Sequence, residues 1–315
     1  MRRRTFCLAA AAAGSGIVLG QTKGPRTIDD FFREFTDEWV RNDPTLATEA
    51  RYFTGAEQDK LERMVPPPTA AEARKRVALA RKGLKELRAF DRSKLSPTQA
   101  LAAEVMEWQL QIAADEEPFL DYWFPFEQMN GWNVAVVENF TVGRPLAKAR
   151  DAENYVAALA LVGPRTEDAI AEAKRVAAKG IIPPRFILQS TLKQMRSFAD
   201  SAPASNPFVT TLNEKMAAMT DLTPGKRDQL RAEAEKIVGT QIYPAWKKAI
   251  ALLDSQLAKS TDDAGLWRLK GGPQAYAYFL HDRRSPMTPE ATTAYIRDDV
   301  VKWKKVVTVA GVKGE

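Results

Sequence analysis

One histidine and one cysteine serve 315 residues, and that scarcity excludes more chemistry than any motif here suggests. A hydrolytic zinc site of the HExxH type needs two histidines a helical turn apart and a glutamate between them to activate water. With only His281, the chain has no such pair. A serine or cysteine nucleophile with a histidine base would have to use that same residue, and Cys7 lies in what reads as a leader. Beyond the leader no thiol remains for a disulfide, so the fold rests on its core. Also missing are a GxSxG elbow, a GxxxxGK[ST] phosphate loop and a GxGxxG dinucleotide turn. No fixed repeat period is present, which argues against a helical solenoid.

An excess of charge of one sign is scarce too. The formal net charge is +6, but Arg2, Arg3 and Arg4 belong to the leader, leaving 43 basic and 40 acidic residues. So small and evenly mixed an excess is no footprint for nucleic acid. A composition of 45% hydrophobic and 27% charged residues is that of a globular chain with room for a sizeable core.

What is present begins with MRRRTFCLAAAAAGSGIVLGQ: a basic start, an apolar run from Cys7 to Leu19, and small residues near Gly20 where a peptidase can cut. Residues 1–20 therefore read as an export signal, and RRTF resembles the twin-arginine type beside ordinary secretion. The run is too short for a spanning helix. Cys7 precedes it, unlike a lipid-attachment cysteine. The expected location is the periplasm or cell envelope, with no stable membrane span once the signal is removed.

Residues 21–315 read as a single helical domain. Ile28, Phe31, Phe32, Phe35 and Trp39 fall on one helical face behind a Thr27/Asp30 capping box. Thr69 and Glu72 open a helix striped by Ala73, Val77, Ala80, Leu84 and Leu87. Ser96-Pro97 with Gln99 opens another, for which the spacing predicts Leu101, Val105, Trp108 and Ile112 facing inward. Thr223-Pro224 and Thr288-Pro289 repeat the start signal, proline at the first helical position giving up no needed donor. Further helices are predicted over 147–161, 165–179, 185–198 and 207–219. One long helix, from Thr223 to about Lys259, should be kinked or split by Pro244. The expected fold class is all-α, a multi-helix array with one kinked long helix.

Two stretches resist this pattern: the proline linker VPPPTA, Val65 to Ala70, and EEPFLDYWFPFEQMNGWN, Glu116 to Asn133. Tyr122, Trp123, Phe124, Phe126 and Trp132 either line a substrate cleft or plug the gap between helix layers. Carboxylate pairs at Asp29/Asp30, Glu116/Glu117 and Asp262/Asp263 point in different directions along a helix or turn, as caps and solvated charges do. His281, at the end of a helix opened by Gly271-Gly272-Pro273, suits a helix terminus or a site.

GLWRLKGGPQAYAYFL, Gly265 to Leu280, followed by MTPE, resembles the Leu-Pro-Gly-Gly turn, Tyr-rich helix and Leu-Thr-Pro-Glu of the bacterial family of unknown function numbered 885. NDPTLAT (Asn42 to Thr48), GIIPPRFIL (Gly180 to Leu188) and the long helix with IYPAW resemble further segments of that family in the same order. The resemblance implies an exported protein related to helical HExxH metallopeptidases, with the zinc motif in a second half that these residues do not match. On that basis zinc and a peptide substrate are expected only in a complete relative, and no catalytic, cofactor-binding or metal-ligating residue carries over to any position here. Departures occur at His281 to Ser285, where the family has His-Thr-Thr, and in MTPEATTAYIRDDVVKW. The final stripe Ile296, Val300, Trp303 and Val307 would need a partner surface. Two functions follow as expectations: an N-terminal peptidase-like portion inactive alone, or a freestanding exported binding protein using the 122–132 aromatics.

Overall fold

The computed structural model describes residues 26–282, and every regular element among them is helical. The chain divides into two compact units, Met1–Asp262 and Asp263–Glu315. In the first, α1 (Ile28–Arg41), α2 (Pro44–Ala50) and α3 (Gly55–Glu62) precede the longer α4 (Ala70–Leu87) and α5 (Pro97–Ala114). There follow α6 (Trp132–Glu138), α7 (Ala149–Leu159), α8 (Val162–Ala177), α9 (Arg185–Ala199), α10 (Pro207–Ala217), α11 (Pro224–Ile237) and α12 (Tyr243–Leu257). In the second unit, a short 3-10 turn at Leu266–Arg268 precedes α13 (Gly272–Asp282). The predicted Thr288-Pro289 helix and the 296–307 stripe lie outside the described residues.

Helix starts follow the side-chain chemistry of the sequence. Thr27 caps α1 in a reciprocal box with Asp30, Ser96 does the same for α5 with Gln99, and Thr69 and Thr223 accept from the third helical residue of α4 and α11. Each cap removes an unpaired amide that would otherwise cost about 1 kcal/mol.

The first unit has two main cores. One joins α1, α4 and α5 through Phe31, Phe35, Leu84, Leu87, Met106 and Leu110. Gly83 lets α4 come close here: a Cβ at that position would overlap the Phe35 ring and sit 3.0 Å from Leu110. The other core runs through α6 to α12 and carries Phe140, Tyr155, Phe208 and Trp246, each essentially inaccessible to solvent. Phe198 stacks on Trp246 at 4.7 Å between centroids.

Two sequence expectations change in detail. The long helix is bent as predicted, but Pro244 does not end it. A π-helical turn at Val238–Ile242 joins α11 to α12, and the Tyr243 amide reaches back five residues to the Val238 carbonyl. Proline brings no amide for the carbonyl four residues earlier. Widening the turn just before it keeps the chain helical, with Trp246 and Leu253 still facing the core.

On α5 the predicted inward stripe is wrong. Leu101 and Val105 are 62% and 45% exposed, Trp108 is half-buried, and only Ile112 of the four is fully covered. Ala103, Met106, Leu110 and Ala113 form the packed face instead. The helix is apolar on two sides, so periodicity offered two solutions. The face that packs is the one that sets Leu110 beside Gly83 of α4.

Candidate functional site

The aromatic connection between α5 and α6 spans the two cores, and its ends are pinned by charge. A 3-10 segment, Glu117–Tyr122, places Asp121 where its carboxylate accepts from Arg175 of α8 and from Lys179 just past the end of that helix, both at 2.5 Å. Arg175 also holds Glu172, whose Oε1 accepts the Ala70 amide at the start of α4 at 3.1 Å. Thus α8 fastens both the connection and α4.

The remainder is a hydrogen-bonded loop. The Trp132 amide donates to the Pro125 carbonyl at 2.8 Å, and the Glu127 carboxylate accepts from the Met129 and Asn130 amides. Asn133 Oδ1 accepts from the Glu127 amide at 3.3 Å. Gly131 is required by this crossing, since a Cβ there would lie 2.9 Å from the Glu127 carbonyl and 2.7 Å from Asn133 Oδ1.

The aromatics of the connection differ in how deeply they are buried. Phe126 and Trp132 are buried in the α6–α12 core, and the Trp132 indole donates to Thr166 Oγ1 of α8 at 2.9 Å. Tyr122, Trp123 and Phe124 remain half-buried, and Met129 is exposed. Two rings therefore plug the layers, and three stay partly within reach of solvent.

Arg175, its near neighbour Lys179 and their charges hold the Asp121 carboxyl below its ordinary pKa, outweighing partial burial. A depressed folded pKa means that the contribution to stability is complete above the unfolded value of about 4 and fades as pH falls through the lower folded value. Asp121→Asn should therefore melt below the parent near pH 6, with the gap closing toward about pH 2. A gap unchanged across that range, in matched thermal melts, would refute the assignment.

A second polar assembly was not foreseen from the sequence. Asn154 of α7 donates to Glu62 Oε2 at 2.8 Å and Asp59 Oδ1 at 3.1 Å, and accepts from Arg63 Nε at 2.7 Å. Gln58 donates to the other Glu62 oxygen at 3.0 Å and to the Ala47 carbonyl. Arg144 is 3% exposed; it donates to the carbonyls of Glu62 and Met64 and to Asn139 Oδ1, and its guanidinium lies 4.5 Å from the Phe140 ring centre. Nearby, Arg51, with φ +46° at the end of α2, pairs with buried Asp151. The clue available in sequence was polar residues on packed faces: Gln58 and Glu62 four apart, and Asn154 between Ala152 and Tyr155.

Chemically, this assembly holds elements together. Both Glu62 oxygens are occupied by amide donors, and Asp59 is shared by Asn154 and Arg150. Among the described residues no three His, Cys, Asp or Glu side chains gather where they could hold a metal ion. Of the carboxylate pairs, Asp30 acts locally, and Asp29, Glu116, Glu117 and Asp262 meet partners on distant segments. The Asp30 carboxylate accepts from the Thr27 amide at the start of α1, Asp29 accepts from Gln99, Glu117 pairs with Arg81, Glu116 lies 3.8 Å from Arg76, and Asp262 lies 3.9 Å from Arg185. His281 falls in the last turn of α13, and its side chain lies outside the described residues.

The family model described as bacterial protein of unknown function (DUF885) matches residues 44–306. The chain belongs to this family. Among solved structures, a "putative lipoprotein" from Colwellia psychrerythraea aligns with this DUF885 protein at a TM-score of 0.73 and 17% identity. The alignment covers 90% of this chain and 52% of that one, so the chain spans about half the length of that relative. At that identity the likeness concerns the fold alone. No curated protein matches the chain. Among the described residues no helix is long and apolar enough to cross a membrane.

Proposed function

We propose that this DUF885 chain is the N-terminal helical portion of an exported, metallopeptidase-like protein and that it hydrolyses nothing by itself. The observation that carries the reading is the asymmetry of the match: nearly all of this chain aligns, yet it accounts for only 52% of the Colwellia chain. The one-histidine inventory adds to it, because an HExxH pair cannot be made from His281 alone. The basic, apolar leader over residues 1–20 supports export to the periplasm or cell envelope. In a complete relative zinc and a peptide substrate would be handled by residues beyond this match.

A freestanding exported binding protein is the second reading. Its support is the placement of Tyr122, Trp123 and Phe124 half-buried on a loop braced by Asp121, Glu127 and Trp132. Purified chain assayed for zinc content and for cleavage of a mixed peptide library, with and without added zinc, tests the first reading. Neither stoichiometric metal nor turnover is expected. Tightly held zinc accompanied by peptide cleavage would overturn it. The DNA following the gene separates the two readings: an HExxH-bearing frame is expected on the first, and unrelated sequence on the second.

A further inference from the structure

In its N-terminal half the outer face of α5 carries uncovered apolar side chains. Leu101 and Val105 stand one turn apart with 62% and 45% of their surface exposed, and half-buried Trp108 continues the line. A surface helix ordinarily turns polar residues to that side. The opposite face is already filled, Ala103, Met106 and Leu110 lying in the α1/α4/α5 core. Among the other described elements, large apolar side chains that are exposed occur singly, which is normal for a protein surface. Only α5 lines up two of them along one face.

The geometry points to this α5 face as the docking surface for an amphipathic helix of the continuing polypeptide, the part corresponding to the 48% of the Colwellia chain left unmatched. The inference rests on the reading that this chain is one portion of a longer protein. Two observations select that occupant. The length of polypeptide without a counterpart here is close to that of the matched portion, so it has extensive surface to bury against these helices. Charge disfavours a second copy: Glu104 is exposed between Leu101 and Val105, and a two-fold pairing of this face centred there would oppose two carboxylates. A docking helix with a basic residue at its centre would meet Glu104 with the opposite sign.

The scarcity of cysteine makes the test clean. In a Cys7→Ser background, Leu101→Cys supplies the only thiol, and Glu233→Cys on the exposed side of α11 supplies a control. Maleimide labelling is followed for the chain alone and for the chain produced with the polypeptide encoded immediately downstream. Labelling at position 101 should slow by about tenfold or more with the downstream polypeptide, as for a thiol moved from surface to interior, while position 233 is unchanged. If the downstream polypeptide co-purifies and carries HExxH but position 101 labels as fast as before, this docking surface is wrong and the functional reading stands. If no metal-motif polypeptide is encoded there, both fall. Slow labelling of the chain alone, with the mass of a dimer, would assign the face to a second copy and overturn the proposal.

Discussion

Arg144→Met should lower stability by about 3–5 kcal/mol, a drop in melting temperature on the order of 10 °C for a unit of this size. Methionine fills much of the same space, and burying a guanidinium is itself costly, so a hydrophobic replacement is sometimes neutral. Here the partners decide the sign. The Glu62 carbonyl, at 2.5 Å from Nη1, stays buried after the change, and the Met64 carbonyl and Asn139 Oδ1 lose their donor as well. Each bond to a charged donor contributes about 1.5–3 kcal/mol, and a stranded buried acceptor adds its own desolvation cost. The contact with the Phe140 ring is lost too. Arg144→Lys should recover only part of the loss, because a single ammonium cannot reproduce the planar fork that spans two carbonyls. Thermal melts of the three proteins test this. A methionine variant within about a degree of the parent would mean that Arg144 is dispensable.

That residue also marks the limit of what the sequence made legible. Helix starts were readable because caps are local: Thr27, Thr69, Ser96 and Thr223 act on amides within three residues, and all four cap as expected. The bent long helix was readable because proline's missing donor is equally local, although the form of the bend, a π turn, was not. Tertiary choices were another matter. On α5 two apolar faces competed, and only packing with α1 and α4, with Leu110 set beside Gly83, decided between them. The Gln58–Glu62–Asn154–Arg144 assembly joins residues more than 80 positions apart, and no short-range pattern announces such partners. The short helices α2, α3 and α6 were missed because seven or eight residues carry little periodic signal. As for function, the scarcity of histidine and cysteine was legible at once, while the choice between plug and binding wall was not, because it turns on how deeply each ring is buried.

That choice leads to the second large effect. Trp132→Ala should cost about 3–5 kcal/mol, because the ring is 7% exposed within the α6–α12 core and its removal leaves a cavity. The change also takes the indole donor from Thr166 and loosens α6 at its first residue, the point where the loop closes on Pro125. Trp123→Ala, at a half-buried position on the same connection, should cost less than half as much. The pair separates structure from recognition. If the connection is mainly a plug, stability follows burial and the Trp123 variant behaves like its parent in every binding assay. If instead Trp123→Ala abolishes capture of a peptide that the parent binds, with the melting temperature barely moved, the exposed rings are a recognition surface and the second functional reading gains the advantage. Equal destabilisation by both substitutions would contradict the division of the aromatics altogether. Trp123 would then have to be carrying core packing out of proportion to the surface it hides.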